Sequence, residues 1–165
     1  MRALGISVIS LIPFVVGVWQ YSLINRRQQT LWELEQLVLL IKEQMRFSLK
    51  EIDQLLSFAY NQPHFSTPVK DIIMAVTGKT SHKEVLSALQ SVSSSGISKK
   101  EMLLIADFFS GLGKSDIKGQ LEHCEYYKEQ LEGINNLLSR EQGEKSRLWL
   151  GLSISLSLAV FVLLI

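Results

Sequence analysis

Two tripeptides in the chain, Gly78-Lys79-Thr80 and Gly113-Lys114-Ser115, have the residue types with which a phosphate-binding loop ends. Such a loop holds phosphates with its backbone amides and its lysine, and it needs a further glycine five positions before its last one. Ile73 and Phe108 occupy those positions here, and neither tripeptide follows a predicted strand. We therefore interpret both tripeptides as turns that end helices, and we expect no nucleotide at either.

The run Glu122-His123-Cys124-Glu125 contains four side chains that can bind a metal ion. Adjacent residues of a helix point in different directions, so at most two of these side chains could share one ion. His64 and His82 are isolated, and no serine, histidine and aspartate set stands out from the helix caps. The sequence therefore predicts no catalytic residue, no metal site and no cofactor. Cys124 is the only cysteine, so no disulfide framework is expected.

The charged residues divide the 165-residue chain into a polar middle and two apolar ends. All 16 acidic residues and all but one of the 17 basic residues lie between residues 26 and 147. That stretch consequently has no net formal charge. Because nucleic-acid-binding proteins normally carry a basic excess or patch, we expect no nucleic-acid partner.

The two apolar ends are predicted to be transmembrane helices, at residues 3–24 and 148–165. A helix over the second segment covers roughly 27 Å, close to the ~30 Å thickness of a bilayer's hydrocarbon core. The first segment could also be a signal peptide. Residues 17–25 contain no small-x-small cleavage pattern and include bulky Trp19 and Tyr21, which favours a retained span.

Basic residues near the two segments predict their orientation. Arg26, Arg27, Lys145 and Arg147 lie on the side of the middle domain, against Arg2 alone on the other side. Since basic residues are enriched on the cytoplasmic side of membrane spans, residues 26–147 are expected to face the cytoplasm.

The second span also has a candidate packing face. Gly151, Ser155 and Ala159 recur every four residues. This spacing of small residues lets membrane helices approach closely, so we predict helix packing there.

The middle domain, residues 26–147, has the pattern of an all-α bundle of about six helices, flanked by the two spans. Helix starts are indicated by hydroxyl residues followed three positions later by glutamate. These pairs are Thr30 with Glu33, Ser48 with Glu51, Ser81 with Glu84, and Ser98 with Glu101. One apolar stripe is predicted on the first helix and another on the last, the latter comprising Ile117, Leu121, Cys124, Leu131, Ile134 and Leu138.

The most specific local pattern is the helix-to-helix corner at residues 112–120. Leu112 precedes Gly113, which is predicted to end one helix in a left-handed conformation, and Ser115 is predicted to cap the next helix, with Asp116 adding negative charge at its positive end. Gln120 completes the pattern Leu-Gly-x-Ser-Asp-x-x-x-Gln. This pattern, followed by a long charged helix and a C-terminal span, resembles the stage III sporulation protein AB family of endospore-forming bacteria.

The resemblance implies a function that composition alone does not indicate. Members of the family are components of the channel between mother cell and forespore, and their helical domain is similar to a cytoplasmic domain of the type II secretion platform protein. A hexameric ATPase and other membrane components of the complex are the implied partners, together with membrane lipid and further copies of the chain. The implied location is the mother-cell membrane around the forespore, with the middle domain in the mother-cell cytoplasm.

Four lysines around two turns are candidates for the ATPase-binding surface, namely Lys99, Lys100, Lys114 and Lys118. The resulting hypothesis is a membrane-anchored scaffold, required for endospore formation, which docks the ATPase and has no catalytic activity of its own. An alternative is a two-span tether or regulator that binds a soluble partner and has no role in transport.

Overall fold

The computed structural model describes residues 2–47, 51–92 and 96–164, and it describes side chains at 25–47, 51–92, 96–141, 151, 154 and 155. Helices account for nearly all of this part of the chain, and it contains no strand. The six helices are α1 (Arg2–Phe47), α2 (Ile52–Tyr60), α3 (Thr67–Val76), α4 (His82–Ser91), α5 (Lys99–Gly111) and α6 (Ile117–Leu164).

The first helix differs from its predicted form. Thr30 and Glu33 were expected to start a helix, but α1 is continuous through both residues. No glycine or proline lies between residues 18 and 47, so nothing interrupts the helix, and Thr30 is instead buried on its inner face. The first predicted span and the first bundle helix are therefore one element.

The other predicted helix starts have mixed outcomes. Ser98 and Glu101 form a complete capping box at the start of α5. Ser81 does precede α4, but its side chain makes no capping hydrogen bond. Glu51 occupies the cap position of α2, and Ser48 lies outside the described residues.

The chain divides into two compact units, residues 27–135 and residues 1–26 with 136–165. Among the residues whose side chains are described, no helix is long and apolar enough to cross a membrane. Most of the predicted spans at 3–24 and 148–165 lies outside those residues. The two spans thus remain predictions without structural support.

The unit at residues 27–135 is a bundle in which α1 and α6 run antiparallel. Glu35 of α1 accepts a hydrogen bond from Asn135 (2.8 Å), while Lys42, further along α1, pairs with Glu125, which lies earlier in α6. The intervening helices are short and are joined by turns of a few residues, so they alternate in direction between α1 and α6.

The bundle consequently has two distinct ends. We name as the stem end the one that contains residues 27 and 135, where the chain continues into the other unit, and the turn segments at 61–66 and 96–98. The Arg27 side chain contacts Glu101 in the first turn of α5, and Glu33 accepts a hydrogen bond from the Ser66 amide (2.7 Å). These contacts bring α1 together with both turns.

The opposite end, which we name the corner end, contains residues 51–53, 77–81 and 112–116. The Gly78 amide lies 3.3 Å from Asp53 Oδ1, and Ile52 packs beside Gly113. The start of α2, the turn after α3 and the turn after α5 therefore meet there.

Apolar side chains from all six helices form the core between these two ends. The stripe on α1 was predicted at Leu31, Leu34, Val38, Ile41 and Met45. It is confirmed at the first four, each at most 2% exposed, whereas Met45 is only half-buried. The predicted stripe on α6 is only partly right. Cys124 and Leu131 are buried, whereas Ile117 is 54% exposed. The other buried apolar residues are Leu37, Leu55, Leu56, Ala59, Phe65, Val69, Ile72, Ile73, Val76, Val85, Leu89, Ile97, Ile105, Ala106, Phe108, Phe109 and Leu112.

Candidate functional site

The corner between α5 and α6 begins with a left-handed glycine, as the sequence predicted. Gly113 has φ +77°, a conformation that costs a residue with a β-carbon roughly 1 kcal/mol or more. The position is also crowded, because a β-carbon there would lie 2.6 Å from Ile52 Cδ1. Glycine is therefore favoured at this position chiefly by its backbone conformation, and a β-carbon would in addition displace the end of the Ile52 side chain.

Gln120 closes the corner from the first turn of α6. It is 6% exposed, and its Oε1 accepts a hydrogen bond from the Gly113 amide (3.0 Å) while its Nε2 donates to Ser115 Oγ (2.9 Å). One buried side chain thus satisfies a backbone donor of the turn and fixes the turn's hydroxyl. This explains the spacing of glycine, serine and glutamine in the pattern, and it explains why Gln120 is turned inward while Ile117 faces outward.

The predicted cap of α6 was assigned to the wrong residue. Asp116, which directly precedes the helix, accepts a hydrogen bond from the Gly119 amide through Oδ1 (2.9 Å) and from the Gln120 amide through its backbone carbonyl (2.9 Å). This is the geometry of an N-cap, and its carboxylate also suits the positive end of the helix. Ser115 instead acts as the partner of Gln120.

A second contact that holds α5 against α6 was not predicted from the sequence. His123 Nε2 lies 2.9 Å from the carbonyl oxygen of Phe108, and because a carbonyl can only accept, Nε2 carries the proton. The imidazole stacks on the Phe108 ring (5.6 Å between centroids) and lies 4.7 Å from the Tyr127 ring. Gly111 makes room for it, since a β-carbon there would be 2.7 Å from His123 Nε2. In the sequence, this contact is indicated only by Gly111 at the end of α5 and by His123 after it.

The four adjacent residues that could bind metal are directed to different neighbours. Cys124 is fully buried, Glu122 is exposed, and Glu125 pairs with Lys42 and with Lys128. Burial raises the pKa of the Cys124 thiol to about 11, so the thiol is protonated at neutral pH. Within the described residues, no three histidine, cysteine or carboxylate side chains are grouped so that they could hold a metal ion.

The turn at Gly78-Lys79-Thr80 follows helix α3, as the sequence predicted. Gly78 has φ +74°, and the ammonium of Lys79 bonds the carbonyl of Ala75 (2.6 Å), which it shields at the end of α3. The turn borders a cleft of about 180 Å³, whose other polar lining includes Glu51 and Asp53. A phosphate group is not favoured there, because Glu51 and Asp53 carry negative charge and the ammonium of Lys79 is already hydrogen-bonded to the Ala75 carbonyl.

The structure separates the four candidate lysines into two pairs. Lys99 and Lys100 form the first turn of α5 at the stem end, whereas Lys114 and Lys118 flank the corner. All four are exposed. Helix α5 has 13 residues, so the pairs are separated by about 20 Å along it and do not form one patch.

The corner does present a small mixed surface, which we name the corner surface and define as Lys114, Ile117 and Lys118. Ile117 is a large apolar side chain that is exposed and lies close in sequence to both lysines, and the Lys118 ammonium lies 3.9 Å from the carboxylate of exposed Glu122. An apolar anchor with basic neighbours is suited to binding an acidic and apolar patch on another protein.

At the stem end, the capping box of α5 is joined to α1 by an ion pair. Glu101 is 3% exposed and accepts hydrogen bonds from Arg27 and from the Ser98 amide (2.6 Å). Burial alone would raise the pKa of this carboxyl, but the bonds from Arg27 and Ser98 outweigh it and hold the pKa below its ordinary value. Arg27, which the sequence analysis considered only as a marker of membrane orientation, therefore also holds two helices together.

The predicted packing face of the second span stays a prediction. Gly151 and Ser155 are exposed in the single chain, and a β-carbon at Gly151 would meet no atom within 4 Å. The side chain of Ala159 lies outside the described residues.

Comparison with known proteins adds one match. No curated protein and no solved structure shows significant similarity to the chain. Residues 2–165 match the family described as stage III sporulation protein AB. The match covers almost the whole sequence, including the corner and both apolar ends. The chain therefore belongs to the stage III sporulation protein AB family, and its role is in sporulation.

Proposed function

We propose that the chain is a membrane-anchored scaffold of the channel between mother cell and forespore, and that its bundle docks the hexameric ATPase of that assembly at the corner surface. The observation that supports this most is the position of the corner surface. It lies at the end of the bundle opposite to residues 27 and 135, from which the chain continues toward both predicted spans. A soluble ATPase could therefore approach it without obstruction by the bilayer.

The proposal includes the orientation inferred from the basic residues, with the bundle in the mother-cell cytoplasm. A cysteine at an exposed position of α4, introduced by Gln90→Cys, should not react with a membrane-impermeant thiol reagent in intact protoplasts and should react after lysis. The native chain is its own control, because Cys124 is fully buried. Labelling in intact protoplasts would overturn the orientation.

Docking is tested by recovery of the ATPase with the full chain from detergent-solubilised membranes. The double reversal Lys114→Glu and Lys118→Glu should weaken recovery about tenfold or more, since it turns two favourable charge contacts into repulsive ones. Lys99→Glu, compared with Lys118→Glu alone, provides a matched reversal at an exposed lysine of the opposite end of the bundle and should leave recovery unchanged. Circular dichroism must show the same helix content in all variants.

Two results would count against this assignment. Unchanged recovery after the double reversal removes the corner surface from the proposal. If the unaltered chain recovers no ATPase but remains in the membrane and supports sporulation, the tether or regulator that binds another soluble partner becomes the better description.

A further inference from the structure

We propose that the cleft at the corner end of the bundle binds an arginine side chain of the protein that docks at the corner surface. This inference rests on the proposed function, and it adds to it the chemistry of the partner. The partner presents an arginine to the cleft, beside the acidic and apolar patch that it presents to the corner surface.

The floor of the cleft is apolar and belongs to the core of the bundle. Four residues of the lining, from α2, α3 and the end of α5, are at most 8% exposed, namely Leu56, Val76, Phe109 and Leu112. The volume of about 180 Å³ corresponds to roughly six water molecules of ~30 Å³ each, which gives room for one long side chain. An apolar floor favours a side chain with an aliphatic stem.

Two carboxylates lie at the rim of the cleft with acceptor oxygens to spare. Glu51 occupies the cap position of α2, but its side chain makes no capping hydrogen bond and forms no ion pair with the described residues. The Gly78 amide bonds Oδ1 of Asp53 (3.3 Å), so Oδ2 can accept from a ligand. The cleft therefore offers a cation two carboxylates above an apolar floor.

The helix ends at the cleft add to its negative potential. α3 ends at Val76 and α5 ends at Gly111, and such C-terminal ends each carry roughly half a negative charge. The start of α2 contributes roughly half a positive charge, which the two carboxylates exceed. The chain itself already places a cation here, since the Lys79 ammonium bonds the Ala75 carbonyl at the end of α3 (2.6 Å). The charges around the cleft therefore favour a cationic occupant.

An arginine suits this cleft better than a lysine does. The planar guanidinium can donate to two carboxylates at once, and it is more weakly hydrated than an ammonium. Its aliphatic stem can lie on the apolar floor while the charged head stays at the rim. Arginine is also one of the residues that contribute most to the affinity of protein interfaces.

The cleft adjoins the corner surface, so its occupant belongs to the partner that docks there. Ile52 lines the cleft and packs beside Gly113, and the next residue is Lys114 of the corner surface. Leu112, on the other side of Gly113, also lines the cleft. A partner that contacts Lys114 with an acidic group can therefore reach the cleft with a neighbouring side chain. This alternation of charge would fix the register between the two proteins.

Disulfide capture tests the ligand chemistry of the cleft without the ATPase. Thr80, an exposed residue of the lining, is changed to cysteine in the full chain, which is purified in neutral detergent. The protein is equilibrated in a redox buffer with equal amounts of mercaptoethylguanidine and mercaptoethylurea, an uncharged molecule of the same shape, and the adducts are counted by intact mass spectrometry. We expect Thr80→Cys to prefer the guanidine about tenfold, and Gln90→Cys, at an exposed position of α4, to capture both thiols equally. Cys124 does not compete, because it is fully buried.

The preference should disappear when the rim is neutralised. Thr80→Cys combined with Glu51→Gln and Asp53→Asn should capture the two thiols equally. Asp53→Asn keeps an oxygen that can accept from the Gly78 amide, and circular dichroism must show unchanged helix content. Glu129→Gln, which neutralises an exposed carboxylate of α6, is the matched control and should keep the tenfold preference of Thr80→Cys.

Binding of the purified ATPase to the full chain tests the source of the arginine. Glu51→Gln with Asp53→Asn should weaken the affinity about tenfold or more, and Glu129→Gln should leave it unchanged. A guanidine preference in Thr80→Cys together with unchanged ATPase affinity in the neutralised variant would overturn the assignment of the cleft to this partner.

The two assays separate failure of this inference from failure of the proposed function. Equal capture of the two thiols by Thr80→Cys, or an undiminished preference after neutralisation of the rim, would overturn the cleft as a guanidinium site even if the ATPase binds. Absence of ATPase binding by the native chain would refute the proposed function and the partner assigned here, while the thiol preference would still decide the chemistry of the cleft.

Discussion

Replacing Gly111 by alanine should destabilise the bundle, although alanine is the better helix former. The new β-carbon would lie 2.7 Å from His123 Nε2 and even closer to Cε1, so the imidazole must move. Its movement breaks the hydrogen bond to the Phe108 carbonyl and the stacking on the Phe108 ring.

The size of the stability change follows from two destabilising contributions and one stabilising contribution. Overpacking typically costs 1–3 kcal/mol, and the lost hydrogen bond costs about 1 kcal/mol. Exchange of glycine for alanine in a helix restores about 0.5–1 kcal/mol, and less at the last residue of α5. We therefore expect a net loss of about 2 kcal/mol in the free energy of unfolding. Gly133→Ala is the matched control, because a β-carbon there meets nothing within 4 Å, and it should stabilise the bundle by about 0.5–1 kcal/mol.

Urea unfolding of a fragment containing residues 27–141, followed by circular dichroism, would measure both changes. For a domain of about this size, the Gly111→Ala loss corresponds to a Tm lower by roughly 8 °C. The cost should also depend on His123, so Gly111→Ala combined with His123→Ala should be no less stable than His123→Ala alone. If Gly111→Ala raises stability as Gly133→Ala does, the packing of His123 between α5 and α6 is refuted.

Three further predictions concern Gly113, Glu101 and Cys124. Gly113→Ala should lower the free energy of unfolding by more than Gly78→Ala, since both glycines have positive φ but only Gly113 also meets Ile52; equal losses in urea unfolding would contradict the crowding. Because the folded-state pKa of Glu101 is lowered, its contribution to stability is present above the ordinary pKa of 4.5 and is lost as pH falls through the lower folded value, so Glu101→Gln should flatten the acid side of the stability profile. Cys124 in the folded chain should react with a thiol reagent at neutral pH only as the bundle opens, and reaction at the rate of a free thiol would contradict its burial.

The class of fold could be predicted from the sequence because helix signals are local. Ser98 and Glu101 are three residues apart, and the cap they form involves only its own turn. The same pattern did not mark a helix start at Thr30. The residues before Thr30 continue the helix, and its side chain is buried on the inner face of α1. A capping pattern therefore identifies a helix start only where the chain before it cannot remain helical.

The tertiary contacts of the corner could not be predicted in the same way. Gln120 was part of the recognised pattern, but its inward orientation depends on the hydrogen bond that it accepts from the amide of Gly113, seven residues earlier. The contact of His123 with Phe108 spans 15 residues and needs the space left by Gly111. Such contacts depend on how two helices cross, and hydrophobic periodicity carries no information about a polar side chain that satisfies a backbone group.

Each residue of the family pattern at this corner has a structural role, and the pattern can be explained without a catalytic role. Gly113 supplies the left-handed turn, Gln120 and Ser115 satisfy each other and the turn's amide, and Asp116 caps α6. These contacts are short and polar, and together with the His123 contact they fix the direction in which α6 leaves α5. Since α6 continues without a break from Ile117 to Leu164, a partner that pulls on the corner surface acts on the first turn of a single long helix. A corner that yielded would absorb that displacement locally, so the proposed docking of the ATPase at the corner surface would benefit from a rigid corner.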